Sequence, residues 1–302
     1  MKPSTRAWPS GIIAVLLVLL PGGPLRITSD APTAVPPPVT TAYLSSSSGG
    51  VTAASQRPGF ARRTVRRPPT NVSIDYQLGG AYPLPLPARV VSRDWADGPA
   101  LGAYTICRVN AFQAQPQEID WWRAYHDDLL LRDAIGRYVV DAPRQEILLD
   151  ISTPDKRARL AAIVGGWLER CAADGFPAVE PDNLDSYHRS QGRLTEVQAI
   201  EYVGMLAARA DRISLAVAQK NAVDLGRAGR DVGLDFAIAE ECGRYADCDD
   251  YTAVYGDHVM VIEYTDAGFA QACRTVGARL SVVQRDRWLS RPNSPGYVYR
   301  TC

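Results

Sequence analysis

From residue 74 onward, short apolar runs alternate with longer stretches in which apolar residues recur every three or four positions. The short runs predict strands at Ile74–Leu78, Arg89–Ser92, Ala103–Val109, Glu146–Ile151, Ala178–Glu180, Leu215–Gln219, Phe236–Ala239, Val259–Glu263 and Leu280–Gln284. The longer stretches predict helices at Pro154–Asp174, Thr195–Asp211, Val223–Arg230, near Tyr251 and at Asp266–Val276. Thr153 and Gly175 punctuate the first of these as cap residues. Strand–helix alternation implies parallel, right-handed crossovers. Repeated over residues 73–302, it predicts an α/β fold, the (β/α)8 TIM barrel. Nine strands are one too many. The Pro-rich link Tyr82–Pro87 has no room for a helix, so the first strand is expected to lie irregularly at the barrel edge.

The first 72 residues read differently. Lys2 and Arg6 precede the apolar run Gly11–Leu20, which Pro21-Gly22-Gly23 ends. That run is shorter than the ~20 residues of a membrane span, so residues 1–27 are expected to be a signal peptide or an uncleaved anchor. Residues 28–72 are rich in Pro, Ser and Thr and carry Arg62-Arg63 and Arg66-Arg67, the composition of a disordered basic linker. A secreted or surface-tethered protein follows, with membrane contact only through the N-terminal segment.

The 33 basic and 33 acidic residues balance, but residues 1–72 hold eight of the basic ones and a single acid, Asp30. Residues 73–302 therefore carry a net charge of −7. An acidic body argues against nucleic acid as a partner and for a neutral or cationic one. All six cysteines lie in this body, and behind an export signal an even count implies disulfides. The spacing suggests Cys242–Cys248 across a turn and Cys273–Cys302 at the chain end, which leaves Cys107–Cys171. Neither C-x-x-C nor H-x-x-x-H spacing occurs, so no metal is expected.

In a TIM barrel the strand carboxyl ends converge on one mouth. Here they offer Asp75-Tyr76-Gln77, Asp150, Glu180, Asp182, Asn183, Asp185, Lys220, Glu240, Glu241, Tyr245, Glu263 and Tyr264. Carboxylates recur from strand to strand. Crowding is expected to leave one of them protonated beside an ionised neighbour, the apparatus of glycoside hydrolysis. The tyrosines and amides suit sugar faces and hydroxyls. No G-x-S-x-G, P-loop or G-x-G-x-x-G motif points elsewhere.

The segments DYQLGGAY (75–82), VNAFQAQP (109–116), LLDIS (148–152), VEPDNLDSY (179–187), AQKN (218–221), AEECGRY (239–245) and VIEY (261–264) together resemble glycoside hydrolase family 114, the endo-α-1,4-polygalactosaminidases. The resemblance implies a TIM-barrel hydrolase that cuts α-1,4-linked galactosamine polymers within the chain. It implies Asp182 as nucleophile and Glu240 as general acid/base, with the reverse assignment open. Asp75, Asp150, Asp185, Lys220 and Glu263 would then line sugar subsites. Two positions depart from the family pattern. Residues 141–146 read DAPRQE where Trp-Pro-Gly-Glu is usual, and Arg108 stands where Tyr is common. A carboxylate pair needs no cofactor, and a monomer is expected. The alternatives are a non-catalytic exopolysaccharide-binding barrel and a hydrolase of a different α-glycan.

Overall fold

The computed structural model describes residues 65–142 and 144–302; the expected signal segment and most of the expected linker lie outside the described residues. Strands β1 (Ile74–Gln77), β2 (Val90–Asp94) and β3 (Tyr104–Asn110) pair in parallel and in sequence order. The chain then leaves the main sheet through β4 (Gln113–Ala114), α1 (Ile119–Tyr125), β5 (Val140–Asp141) and β6 (Glu146–Leu148), whose three strands form a separate antiparallel sheet. Helix α2 (Pro154–Ala173) returns it to β7 (Ala178–Asp182), which pairs in parallel with β3.

From there the winding is regular. Helix α3 (Glu196–Arg212), β8 (Ala216–Lys220), α4 (Arg227–Asp231), β9 (Phe236–Glu240), α5 (Cys242–Tyr245), α6 (Cys248–Tyr255), β10 (Val259–Glu263), α7 (Asp266–Thr275) and β11 (Ser281–Arg285) follow one another. A last short strand, β12 (Tyr299–Thr301), runs antiparallel on β11. Eight parallel strands thus make the nearly closed TIM barrel, in the order β1-β2-β3-β7-β8-β9-β10-β11. Side chains lace the seam between β11 and β1. Arg285 Nη1 donates to Asp75 Oδ1 at 2.7 Å and to the carbonyl of Tyr76, and Ser281 Oγ accepts from Val72 N at 3.0 Å.

Two expectations are corrected. The first strand does end the sheet, but it pairs in regular parallel register and counts among the eight, and the surplus one is Glu146–Ile151. Its apolar run is buried because it lies between two partner strands over the core, and apolarity alone does not distinguish that position from a barrel strand.

Strand parity divides the core. In the barrel strands up to β10 even-numbered residues, such as Ile106, Ala178, Ala218, Ile238 and Ile262, fill the interior, and in β11 the odd-numbered Val283 does so. Their neighbours Val109, Val179, Val217, Ala239 and Val261 face outward and share a second core with helix residues such as Leu160, Val164, Leu168, Leu206, Tyr251 and Phe269. The helices start where the capping residues stand. Thr153 accepts from Lys156 N, and Thr195 and Gln198 form a reciprocal capping box. Cys107–Cys171 ties β3 to α2, Cys242–Cys248 joins α5 to α6, and Cys273–Cys302 pins the chain end to α7, the three pairings expected from spacing. Residues 66–72, read as linker, lie against the amino-terminal ends of the strands. The Tyr104 hydroxyl donates to Arg66 O at 2.5 Å, and His258 Nδ1 is 3.2 Å from Pro68 O. No described helix is long and apolar enough to cross a membrane.

Candidate active site

The inward parity that fills the barrel with apolar residues carries polar ones in its top layer. Arg108 of β3, Glu180 and Asp182 of β7, Lys220 of β8, Glu240 of β9 and Tyr264 after β10 all occupy even positions and meet at the carboxyl-terminal mouth. Lys220 Nζ stands between two carboxylates, 2.9 Å from Asp182 Oδ1 and 2.9 Å from Glu240 Oε2. The two accepting oxygens therefore lie at most about 6 Å apart, within the reach of one sugar linkage.

Each acid has further partners. Arg108 Nε donates to Asp182 Oδ2 at 2.8 Å, and the backbone N–H of Asn183 donates to Oδ1 at 2.9 Å. The Tyr264 hydroxyl donates to Glu240 Oε1, and Asn221 Nδ2 donates to Oε2 at 3.0 Å. Deeper in the barrel, Glu180 accepts from the hydroxyls of Tyr76 and Ser92, each at 2.5 Å.

These contacts set the charge states. Burial opposes ionisation of Asp182, but the cations of Lys220 and Arg108 outweigh it and hold the carboxyl well below its usual range. Burial likewise opposes ionisation of Glu240. Lys220 and the donors Tyr264 and Asn221 overcome it, against repulsion from Asp182, and keep this acid low as well. Glu180 is pushed up by its burial, because Lys220 is 3.7 Å away and occupied with the other two. The expected protonated acid is therefore not a member of the mouth pair in the free protein. A single ammonium shared by both offsets the crowding that would have raised one of them.

The chain turns sharply off three of these strands. Asn183, Asn221 and Glu241, each directly after a strand end, adopt left-handed backbone with φ of 65°, 49° and 62°. Asparagine tolerates that region and glutamate does so at a cost. Glu241 is held there by Arg244 and Arg287, each 2.7 Å from Oε1.

Two adjoining cavities form the cleft. One is lined by Asp141, Arg144, Asp182, Asn183, Asp185, Arg189, Lys220, Asn221 and Glu240. The other shares Arg144, Asp185, Asn221 and Glu240 and runs on to His188, Asp224, Glu241, Tyr245, Tyr264 and Arg287. Of the residues singled out from sequence, Asp182, Asn183, Asp185, Lys220, Glu240, Glu241, Tyr245 and Tyr264 therefore reach the cleft, with Glu180 and Tyr76 directly beneath.

Four do not reach it. Asp150 follows a strand outside the barrel and is spent on Lys156 Nζ, 2.5 Å away, and on Ser152 N. Asp75 and Gln77 have odd parity and turn away from the interior. Asp75 pairs with Arg285 at 2.7 Å, and Gln77 bonds Asp75 and Arg93. Glu263, also odd, points behind the mouth and accepts from Gly243 N at 2.6 Å. A Cβ on Gly243 would lie 2.7 Å from Glu263 Oε1, so the glycine of the EECGRY segment answers a packing need.

Reading strand ends alone missed Arg108, Asp141, Arg144 and Arg189. Arg108 was legible through its inward parity. Asp141 and Arg189 pair at 2.8 Å across an excursion that no barrel pattern predicts.

Burial raises the Glu263 carboxyl. Its stabilising share is complete below the unfolded value, about 4.3, and is lost as pH rises through the folded one. Glu263→Gln, which mimics the neutral acid, is expected to raise Tm relative to the parent at pH 7 more than at pH 4. Thermal melts at the two pH values check this; an equal change at both would contradict the assignment of Glu263 as a buried, non-catalytic acid.

Two carboxylates converging at the carboxyl-terminal mouth of a parallel barrel are the arrangement that a TIM-barrel glycoside hydrolase uses. The chain belongs to glycoside-hydrolase family GH114, whose model matches residues 55–302. Ega3 of Aspergillus fumigatus, solved in complex with galactosamine, is similar over 80% of this chain and 99% of its own, with 22% identity and a TM-score of 0.65. The glycoside hydrolase domain of PelA from Pseudomonas aeruginosa is similar over 76% of this chain and 98% of its own, with 14% identity and a TM-score of 0.53. No curated protein matches the chain. Among the described residues, no cluster of three His, Cys, Asp or Glu side chains is arranged to hold a metal ion.

Proposed function

We propose that this protein is an exported, endo-acting hydrolase of α-1,4-linked galactosamine polysaccharide, with Asp182 as nucleophile and Glu240 as general acid and base. The observation that carries the reading is the placement of both carboxylates on one ammonium at the mouth of the barrel. Asp182, ionised and held by Arg108, is poised to attack an anomeric carbon. Glu240, opposite, is poised to protonate the departing glycosidic oxygen and then to take a proton from the water that releases the sugar. The family, and the galactosamine bound by Ega3, support an amino-sugar substrate. An unacetylated polymer of this kind is cationic, and a body of net charge −7 attracts it. Three disulfides and the apolar N-terminal run support export.

With Asp182 as nucleophile the proposed reaction passes through a glycosyl-enzyme and retains the anomeric configuration. Reducing ends should therefore appear from de-acetylated α-1,4-galactosamine polymer and not from neutral α-glucans. Proton NMR should show the α-anomer as the first product. Release from neutral glucans alone would replace the substrate. No release from any polymer would leave a carbohydrate-binding barrel instead.

A further inference from the structure

Lys220 is engaged before any substrate arrives. Its side chain is almost fully buried, and its Nζ spans Asp182 and Glu240 at 2.9 Å each, with Glu180 at 3.7 Å and the Tyr76 ring centroid at 5.7 Å. Tyr264 bonds the other oxygen of Glu240, and Arg108 the other oxygen of Asp182. Arg144, on the cleft wall, adds positive charge near both acids. A glycosidic linkage entering between the two carboxylates competes with Lys220 for the oxygens that now accept from it. Arg108 would still neutralise Asp182 after that, whereas Glu240 has no second cation bonded to it among the described residues.

We propose that Lys220 is a positioning residue that keeps both acids ionised in the empty cleft and gives up Glu240 when a glycoside enters, so that the general acid takes its proton only in the complex. The proposal rests on the reading of Asp182 and Glu240 as the reacting pair. It explains how a hydrolase can hold two low-lying carboxylates at its mouth and still have an acid for its leaving group. Premature protonation of Asp182, which would silence the nucleophile, is avoided by the same contact.

The test is the pH dependence of kcat/KM, which reports the free enzyme, on de-acetylated galactosamine polymer. In Lys220→Gln the basic limb, set by Glu240, is expected to move to higher pH by about one to three units, the range over which a neighbouring opposite charge acts on a carboxylate, and the acidic limb, set by Asp182 with Arg108 still on it, to move less. Lys220→Arg, which keeps the charge, is expected to hold the limbs near their parental positions. Limbs that stay put in Lys220→Gln while only the amplitude falls would overturn the proposal. An inactive parent protein would instead overturn the assignment of the reacting pair.

Should Lys220→Gln fail to fold, the parent protein provides the measurement. The chain has three lysines, Lys2, Lys156 and Lys220, so carbon-13 labelling of lysine resolves the Lys220 ε-carbon. Its signal is expected to stay that of a charged amine up to at least the ordinary lysine value, about 10.4, and to move when a galactosamine oligomer binds. A neutral amine forming below about pH 9, well short of that value, or a signal indifferent to the sugar, would overturn the proposal.

Discussion

Asp182→Asn is expected to lose hydrolysis of the galactosamine polymer on the order of 10⁴-fold, the scale on which removing one member of a catalytic unit acts, while the protein still binds the glycan. The amide keeps the shape of the carboxylate and one acceptor oxygen but cannot form the glycosyl bond. The substitution also removes the shared counter-charge of two buried cations, since Lys220 and Arg108 both lie on Asp182. Breaking a buried pair from one side costs about 3–5 kcal/mol, which lowers Tm by roughly 10 °C in a domain of this size.

The sign of the pH dependence follows from the depressed carboxyl of Asp182. Its contribution is complete above the unfolded value, about 3.9, and disappears as pH falls through the folded one. The Tm gap between parent and variant should therefore be widest near pH 7 and narrow below about pH 4. Rate assays with melts at both pH values separate the two effects. A variant that hydrolyses at the parental rate would remove Asp182 from the chemistry.

Replacing Cys107 and Cys171 together by alanine is expected to cost about 4 kcal/mol, because the bridge closes a loop of 64 residues. Both sulfurs are buried, so the loss of packing adds to the loss of the constraint. Tm should fall by roughly 10 °C or more. The Cys242–Cys248 bridge closes only six residues and should matter less by the same reasoning. Cys107 precedes Arg108 on β3 and faces the opposite way, toward α2, while Arg108 enters the barrel. Specific activity well below the melting range should therefore stay close to that of the parent. Denaturant titrations of the two cysteine-pair variants give the comparison. A larger loss from the six-residue bridge would contradict the loop argument.

Much of this site is legible in the amino-acid order once alternation is applied to the strand ends. The run VEPD places Glu180 and Asp182 on one face, and AQK and VIEY place Lys220 and Tyr264 likewise. Reading every acid near a strand end as part of the mouth ignored that alternation. It brought in Asp75 and Glu263, whose parity turns them outward onto Arg285 and Gly243. Asp150 failed for another reason. EILLDI is as apolar as any barrel strand, and only its antiparallel partners reveal that it belongs to the excursion between β3 and α2.

By itself the sequence determined where most strands and the capped helices lie, and which face of each strand its polar residues take. These depend on local stereochemistry and on periods of two and 3.6 residues that any segment carries within itself. Only the tertiary structure decided that one lysine stands between two acids, that Arg108 completes one of them, and that these cations hold both carboxyls below their usual range. Those outcomes depend on distances between strands far apart in sequence and on how completely water is excluded from around a charge.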